Sequence, residues 1–205
     1  MSKSKLHIAI VVLADKENLE LGKAHYNLGW GNSTVLGHTI KEMVKTQIND
    51  LYVVLGSDYE EVFNRHKHFP VQFIKNSNWE NKETLELKWI LSQMNLFDLD
   101  GVLFLNSLQP ELDNMYLKEL IQTFEDQKKV TVGTTYREKF ALPVLFNFNH
   151  LNVVKNRASE SWSEVSRHIS GQIIQIQPGS DLYTISNLPQ YLVKHNDWFG
   201  EVNPI

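Results

Sequence analysis

The residues of this chain best placed to do chemistry lie in one short stretch, Leu13-Ala14-Asp15-Lys16-Glu17-Asn18-Leu19-Glu20-Leu21-Gly22-Lys23. It follows a run of apolar, mostly β-branched residues, the position at which a strand hands over to a loop. A loop there can hold phosphate, because glycine-permitted turns and a helix N-terminus aim backbone N–H groups at an anion. This one has a single glycine, Gly22, and three carboxylates, Asp15, Glu17 and Glu20. Carboxylates repel a polyphosphate unless a divalent cation lies between them, so the plainer reading is a solvated surface loop. His66-Lys67-His68 has two histidines but no neighbouring carboxylate cluster, and reads as a solvated polar loop rather than a metal pair. His25 and His38 sit close enough to the same face to meet a ligand, although an exposed loop histidine and a helix-surface histidine are the simpler readings. Ser161, Ser163 and Ser166 surround Trp162 without the glycine-flanked turn that a serine nucleophile needs.

Composition narrows the classes. The 205 residues are 42% hydrophobic, enough for a real core, and the formal charge of −4 leaves no cationic excess for nucleic acid. Cysteine is absent, which removes disulfides, thiolate metal sites and cysteine nucleophiles. The apolar run Ile8 to Ala14 is far shorter than the roughly 18 residues of a membrane span. The expectation is one soluble cytoplasmic domain, residues 1–205, with no nucleic-acid or membrane partner.

The elements that must carry these residues alternate. Ile8 to Ala14 reads as a strand buried on both faces, and Asp50 to Gly56 as a second. Val71 to Ile74, Gly101 to Leu105, Val130 to Gly133, Pro143 to Phe146 and Ile173 to Ile176 supply further strands. Helices are expected from about Thr34 to Thr46, Tyr59 to His66 and Lys82 to Met94, and after Asp113, whose side chain suits an N-cap. Such alternation implies an α/β fold, a Rossmann-like three-layer α/β/α sandwich around a mostly parallel sheet. Ligands in such sheets bind at the carboxyl ends of the strands, so the loops beginning at Ala14, Gly56, Ile74 and Leu105 matter most.

The order of phrases resembles the nucleotidyltransferases of the molybdenum-cofactor cytidylyltransferase and guanylyltransferase branch. The resemblance rests on a strand ending Leu13-Ala14, a loop closing on Gly22, Trp30-Gly31-Asn32-Ser33-Thr34-Val35-Leu36-Gly37-His38-Thr39-Ile40, and Leu51 to Val62. It continues through Asn76-Ser77-Asn78-Trp79, Gln109-Pro110-Glu111-Leu112 and Pro143 to Phe146, and ends near Asp181-Leu182-Tyr183-Thr184. In that family the first loop has the form Leu-Ala-Ala-Gly, then Ser, Arg, Met-Gly and Lys. Here the second alanine falls on Asp15, the glycine on Lys16, the arginine on Glu20, Met-Gly on Leu21-Gly22 and the lysine on His25, with Lys23 near enough to substitute in part. The family's metal-binding aspartate stands in a Gly-Asp-Gln-Pro phrase. Alignment on Gln109-Pro110 sets Ser107 at the glycine and Leu108 at the aspartate. Asn106 and Ser107 are neutral, and Glu111 lies beyond the proline.

Other positions follow. The family's Gly-Met-Ser-Ser-Ser becomes Lys82 to Glu86 and keeps one hydroxyl, Thr84; its Gly-His-Pro becomes Ala141-Leu142-Pro143; its Asp-Ile-Asp-Thr keeps only Asp181 as a carboxylate. The resemblance implies nucleotide contacts at Leu13, Ala14, Asp15, Lys16, Gly22, Lys23, His25, Asn76, Thr84, Asn106, Ser107 and Leu108. Asp15 and Asp181 are the candidates for a metal, and no residue is assigned a catalytic role. Positions that shape the backbone match the family, whereas those that carry charge to phosphate or metal mostly do not. The leading expectation is a catalytically impaired homologue that binds a nucleotide or pterin-type ligand, or a protein partner in cofactor maturation. One alternative is an active Mg²⁺-dependent nucleotidyltransferase with a rearranged site using Asp15 and Asp181, with Lys16 or Lys23 on the phosphates. Another is an assembly subunit using the apolar tail from Trp198 to Ile205.

Overall fold

A computed structural model describes residues 6–14, 29–56, 58–77, 87–136, 139–156 and 173–176. The elements in chain order are β1 (Ile8–Ala14), β2 (Gly29–Trp30), β3 (Ser33–Thr34), α1 (Val35–Val44), β4 (Asp50–Leu55), α2 (Tyr59–His66), β5 (Gln72–Lys75) and α3 (Leu87–Ser92). They continue with β6 (Gly101–Asn106), α4 (Asn114–Asp126), β7 (Thr131–Tyr136), β8 (Lys139–Asn147), α5 (Phe148–Asn156) and β9 (Ile173–Ile176).

Seven strands form one sheet in the order β5-β4-β1-β6-β8-β7-β9. β1 lies parallel to both β4 and β6, and β4 parallel to β5. β8 runs antiparallel to β6 and β7, while β7 and β9 are parallel. β8 therefore runs against the rest, and the carboxyl ends of the other strands collect at one edge. The expected mostly parallel α/β sheet is what the chain forms.

Strand periodicity sorts the core. Ile8, Ile10, Val12 and Ala14 join α1 (Leu36, Ile40, Met43), α2 (Val62) and α4 (Leu117, Leu120, Phe124) on one face. Ala9, Val11 and Leu13 join Ile90 and Leu91 of α3 and Leu151 on the other. Successive side chains of a strand point to opposite faces, so a strand covered on both must be apolar throughout. All seven residues of β1 are buried. The chain leaves β1 toward β4 and β5 on one side and returns to β6 on the other. This places the switch in strand order, where sheets of this kind bind ligands, at the ends of β1 and β6.

Several details differ from the sequence expectations. The third strand is Gln72–Lys75, one residue on from the run expected. His66 is not solvated. It is the last residue of α2 and only 2% exposed. Its Nδ1 lies 2.8 Å from the Val62 carbonyl and its Nε2 2.9 Å from Thr34 Oγ1. A carbonyl only accepts, so Nδ1 carries the proton and Thr34 donates to Nε2. Thr34 Oγ1 also accepts from Gly37 N at 3.0 Å as the N-cap of α1. One hydroxyl thus caps α1 and ties it to α2.

The β2–β3 hairpin and α5 were not anticipated. The hairpin turns through Gly31 at φ 56°, a conformation that glycine adopts without steric cost. Helix α5 contains several asparagines, which are weak helix formers. Asn147 accepts from His150 N at 2.8 Å and so caps it, while His150 Nδ1 meets Thr131 Oγ1 at 2.7 Å. Of the helix expected over Lys82 to Met94, residues 82–86 lie outside the described residues.

Candidate nucleotide site at the carboxyl edge of the sheet

The end of β1 and the exit from β6 are bonded together. Leu13 pairs with Asn106 in the ladder, and Ser107 N donates to the Leu13 carbonyl at 3.2 Å. Leu108 N donates to Asn106 Oδ1 at 2.9 Å, closing a tight side-chain turn of the kind asparagine favours. Ser107 and Gln109 are buried, and Gln109 Nε2 donates to the Leu142 carbonyl at 3.1 Å. Leu108 itself is only partly buried, as is Asn106. On the other flank, Asn76 follows β5, is 6% exposed, and donates its backbone N–H to the Leu55 carbonyl at 2.8 Å.

Six candidates thus lie along one edge: Leu13, Ala14, Asn106, Ser107 and Leu108 where β1 and β6 end, and Asn76 beyond β4. Asp15, Lys16, Gly22, Lys23, His25, Thr84 and Asp181 lie outside the described residues. So do Ser161, Ser163, Ser166 and the tail from Trp198.

Beneath the β6 exit, α1 supplies a polar flank that the sequence reading passed over. Glu42 is 4% exposed, and its Oε2 accepts from both Asn114 N and Asn114 Nδ2 at 2.9 Å. Its other oxygen accepts from Lys45. Burial pushes the Glu42 carboxyl up, but the bonds from Lys45 and Asn114 outweigh it and leave the carboxyl below its ordinary value. Asn114 opens α4, behind the Asp113 cap, which accepts from Tyr116 N at 2.9 Å. A buried carboxylate against a first-turn N–H satisfies one of the donors that every helix leaves open.

One turn earlier, the half-buried His38 hydrogen-bonds the Pro110 backbone, and its ring lies 5.9 Å from that of Trp30. Proline has no N–H, so the imidazole donates. Burial lowers the His38 pKa; Glu42 opposes this, Lys45 and Lys41 add to it, and the Pro110 bond opposes it. The helix-surface reading of His38 is thus replaced by a half-buried contact with the β6–α4 loop. The available signal was spacing, since positions 38, 42 and 45 share one face of a 3.6-residue helix.

The donors described at the β6 exit do not by themselves make a site for a divalent cation. Mg²⁺ takes about six oxygens in near-ideal octahedral geometry, usually including carboxylates. The β6 exit offers an amide oxygen already engaged, a hydroxyl on a buried residue, and leucine. Among the described residues, no three His, Cys, Asp or Glu side chains gather as a metal site. Nor is any helix among them long and apolar enough to cross a membrane.

The sheet order, with its switch at β1 and β6, defines a Rossmann-like α/β domain. Residues 11–170 match the model of the MobA-like NTP transferase domain, and the chain belongs to that family. Among solved structures, it is similar to Rv0371c from Mycobacterium tuberculosis H37Rv, at 16% identity and TM-score 0.77, covering 93% of this chain and 98% of that one. A structure of that protein in complex with manganese is also similar, at 16% identity and TM-score 0.72, covering 90% and 96%. A nucleotidyl transferase from Methanothermobacter thermautotroptrophicus is similar at 15% identity and TM-score 0.75, covering 94% and 97%. No curated protein matches the sequence.

Proposed function

We propose that this chain keeps the ligand-holding face of the nucleotidyltransferase fold but not its metal-dependent transfer chemistry. It binds a nucleotide or pterin-type ligand, or a protein partner in cofactor maturation. The observation that carries this reading is Leu108, which stands at the β6 exit where the resemblance sets the metal-binding aspartate. Transfer of a nucleotidyl group gathers negative charge on phosphate, and a bridging divalent cation is the usual means of offsetting it. Leucine has no lone pair to offer a cation, and Asn106 Oδ1 accepts from Leu108 N.

Incubation with CTP or GTP, molybdopterin and Mg²⁺, followed by a pyrophosphate assay, tests the proposal. No release above the protein-free control is expected. Turnover at about 1 s⁻¹ or faster, the range of ordinary enzymes, overturns it. The manganese complex of Rv0371c favours a second reading, an active enzyme whose Mg²⁺ is held by Asp15 and Asp181. Under that reading, the pyrophosphate signal is present and is abolished by Asp15→Ala and by Asp181→Ala.

A further inference from the structure

We infer that His66 is an acid-released latch: its neutral ring holds the N-cap of α1 and the β2–β3 hairpin against α2, and protonation lets them part while the sheet stays folded.

The surroundings of the ring carry this. His66 is buried, with Nδ1 donating to the Val62 carbonyl at 2.8 Å and Nε2 accepting from Thr34 Oγ1 at 2.9 Å. Thr34 ends β3 and caps α1, accepting from Gly37 N at 3.0 Å, so its one hydroxyl hydrogen goes to the imidazole. A proton on Nε2 turns that nitrogen into a donor and leaves the threonine hydrogen facing a second donor. Nor can the new charge be hydrated in place. A Cβ on Gly37 would lie 3.3 Å from His66 Nε2 and 2.4 Å from Ser33 Oγ, so the gap between α1 and the ring is too small even for a methyl group. A water molecule needs comparable room. Thr34 and Gly37, on the β3 and α1 side, carry no charge, and Phe69 stacks on the ring with centroids 6.2 Å apart. Burial is the first cause holding the ring below its ordinary 6.5; the Val62 bond opposes it, and Arg65 and His68 add to it. Arg65 is itself paired with Glu61 at 3.2 Å. A buried imidazolium that no carboxylate contacts is costly, and parting α1 from α2 returns it to water. Closed, the ring binds a proton more weakly than when open to water. The latch is therefore shut above about pH 6.5 and opens progressively as pH falls below it.

Amide hydrogen exchange of the full chain, followed by NMR between about pH 7.5 and pH 5, tests this across the histidine range. The reporters are Gly37, whose N–H bonds to Thr34 Oγ1, and Val11, in the middle of β1 between β4 and β6. Below about pH 6.5 the protection of Gly37 is expected to fall by up to about tenfold per pH unit, because opening takes up one proton. Val11 should stay at least about tenfold better protected, since local opening leaves the sheet intact. His66→Gln, which does not titrate in this range, should abolish the pH dependence at Gly37, whereas His38→Asn should leave it. If His66→Gln does not fold, the ring nitrogen shifts of His66 in the unaltered chain decide, and titration at or above the ordinary histidine value overturns the inference. Protection at Gly37 that is independent of pH overturns it, as does a dependence that survives His66→Gln. Equal protection of Gly37 and Val11 at every pH means that only global unfolding exposes the cap, and overturns it as well.

Discussion

At the scale of single residues, Glu42 matters in a way its type does not announce. An ionised carboxylate is costly to bury unless its oxygens are occupied, and here Asn114 and Lys45 occupy both. Glu42→Ala removes the acceptor from the first turn of α4. Because hydrogen bonds to charged groups are worth about 1.5–3 kcal/mol, a loss of about 3 kcal/mol is expected in urea unfolding. Lys45→Ala should cost less than about 1 kcal/mol, because its side chain is 57% exposed and the charge is screened. Equal costs for the two would show that the ion pair, rather than the helix cap, is what counts. The spacing of 38, 42 and 45 was legible in the sequence, but which loop that face would meet was not. Pro110 and Asn114 are brought to it only when β6 docks beside β1.

At the scale of elements, the strands were the legible part. Continuous apolar runs at Ile8 to Ala14, Asp50 to Gly56 and Gly101 to Leu105 gave buried strands because a covered sheet admits little else. The hairpin at Gly31 was passed over although Gly-Asn is a turn signal, since two-residue strands leave no alternation to read. Helix α5 escaped for another reason: its asparagines argue against a helix locally, and packing on the sheet overrides them. Gly101 illustrates the opposite constraint. A Cβ there would come 2.5 Å from the Phe146 carbonyl and 3.0 Å from Phe124 Cζ. The carbonyl belongs to the neighbouring strand and cannot turn aside. Gly101→Ala is therefore expected to destabilise the fold by about 1–3 kcal/mol, the usual range for overpacking. An unchanged melting temperature would mean that β6 and β8 separate more easily than their ladder implies.

At the scale of the whole molecule, acid sensitivity follows from the buried groups. His66 is held below 6.5, first by burial, with the Val62 bond opposing and Arg65 and His68 adding; His38 is lowered as well. Between that ordinary value and the lowered ones, the unfolded chain binds more protons than the folded chain, so stability falls as pH falls. It is complete above about pH 6.5 and erodes below it. Glu42, whose carboxyl is lowered, adds a second loss as pH drops below its ordinary 4.5. Melting temperature measured from pH 8 to pH 4 should be flat at first, then decline in these two stages, with His38→Asn reducing only the earlier one. A decline that begins only below pH 5 would show that neither histidine is held neutral by the fold.

The sequence by itself determined the family and most of the sheet, because both are written in local runs of apolar residues and in the order of short phrases. It also determined that no carboxylate follows β6 before the proline, since that is a matter of residue type alone. The tertiary structure decided which of those residues meet. It buried His66 against Thr34, turned Glu42 into a cap for a helix distant in sequence, and left Leu108 partly exposed beside the end of β1. Contacts of this kind join residues separated by tens of positions, and no periodicity within a segment encodes them.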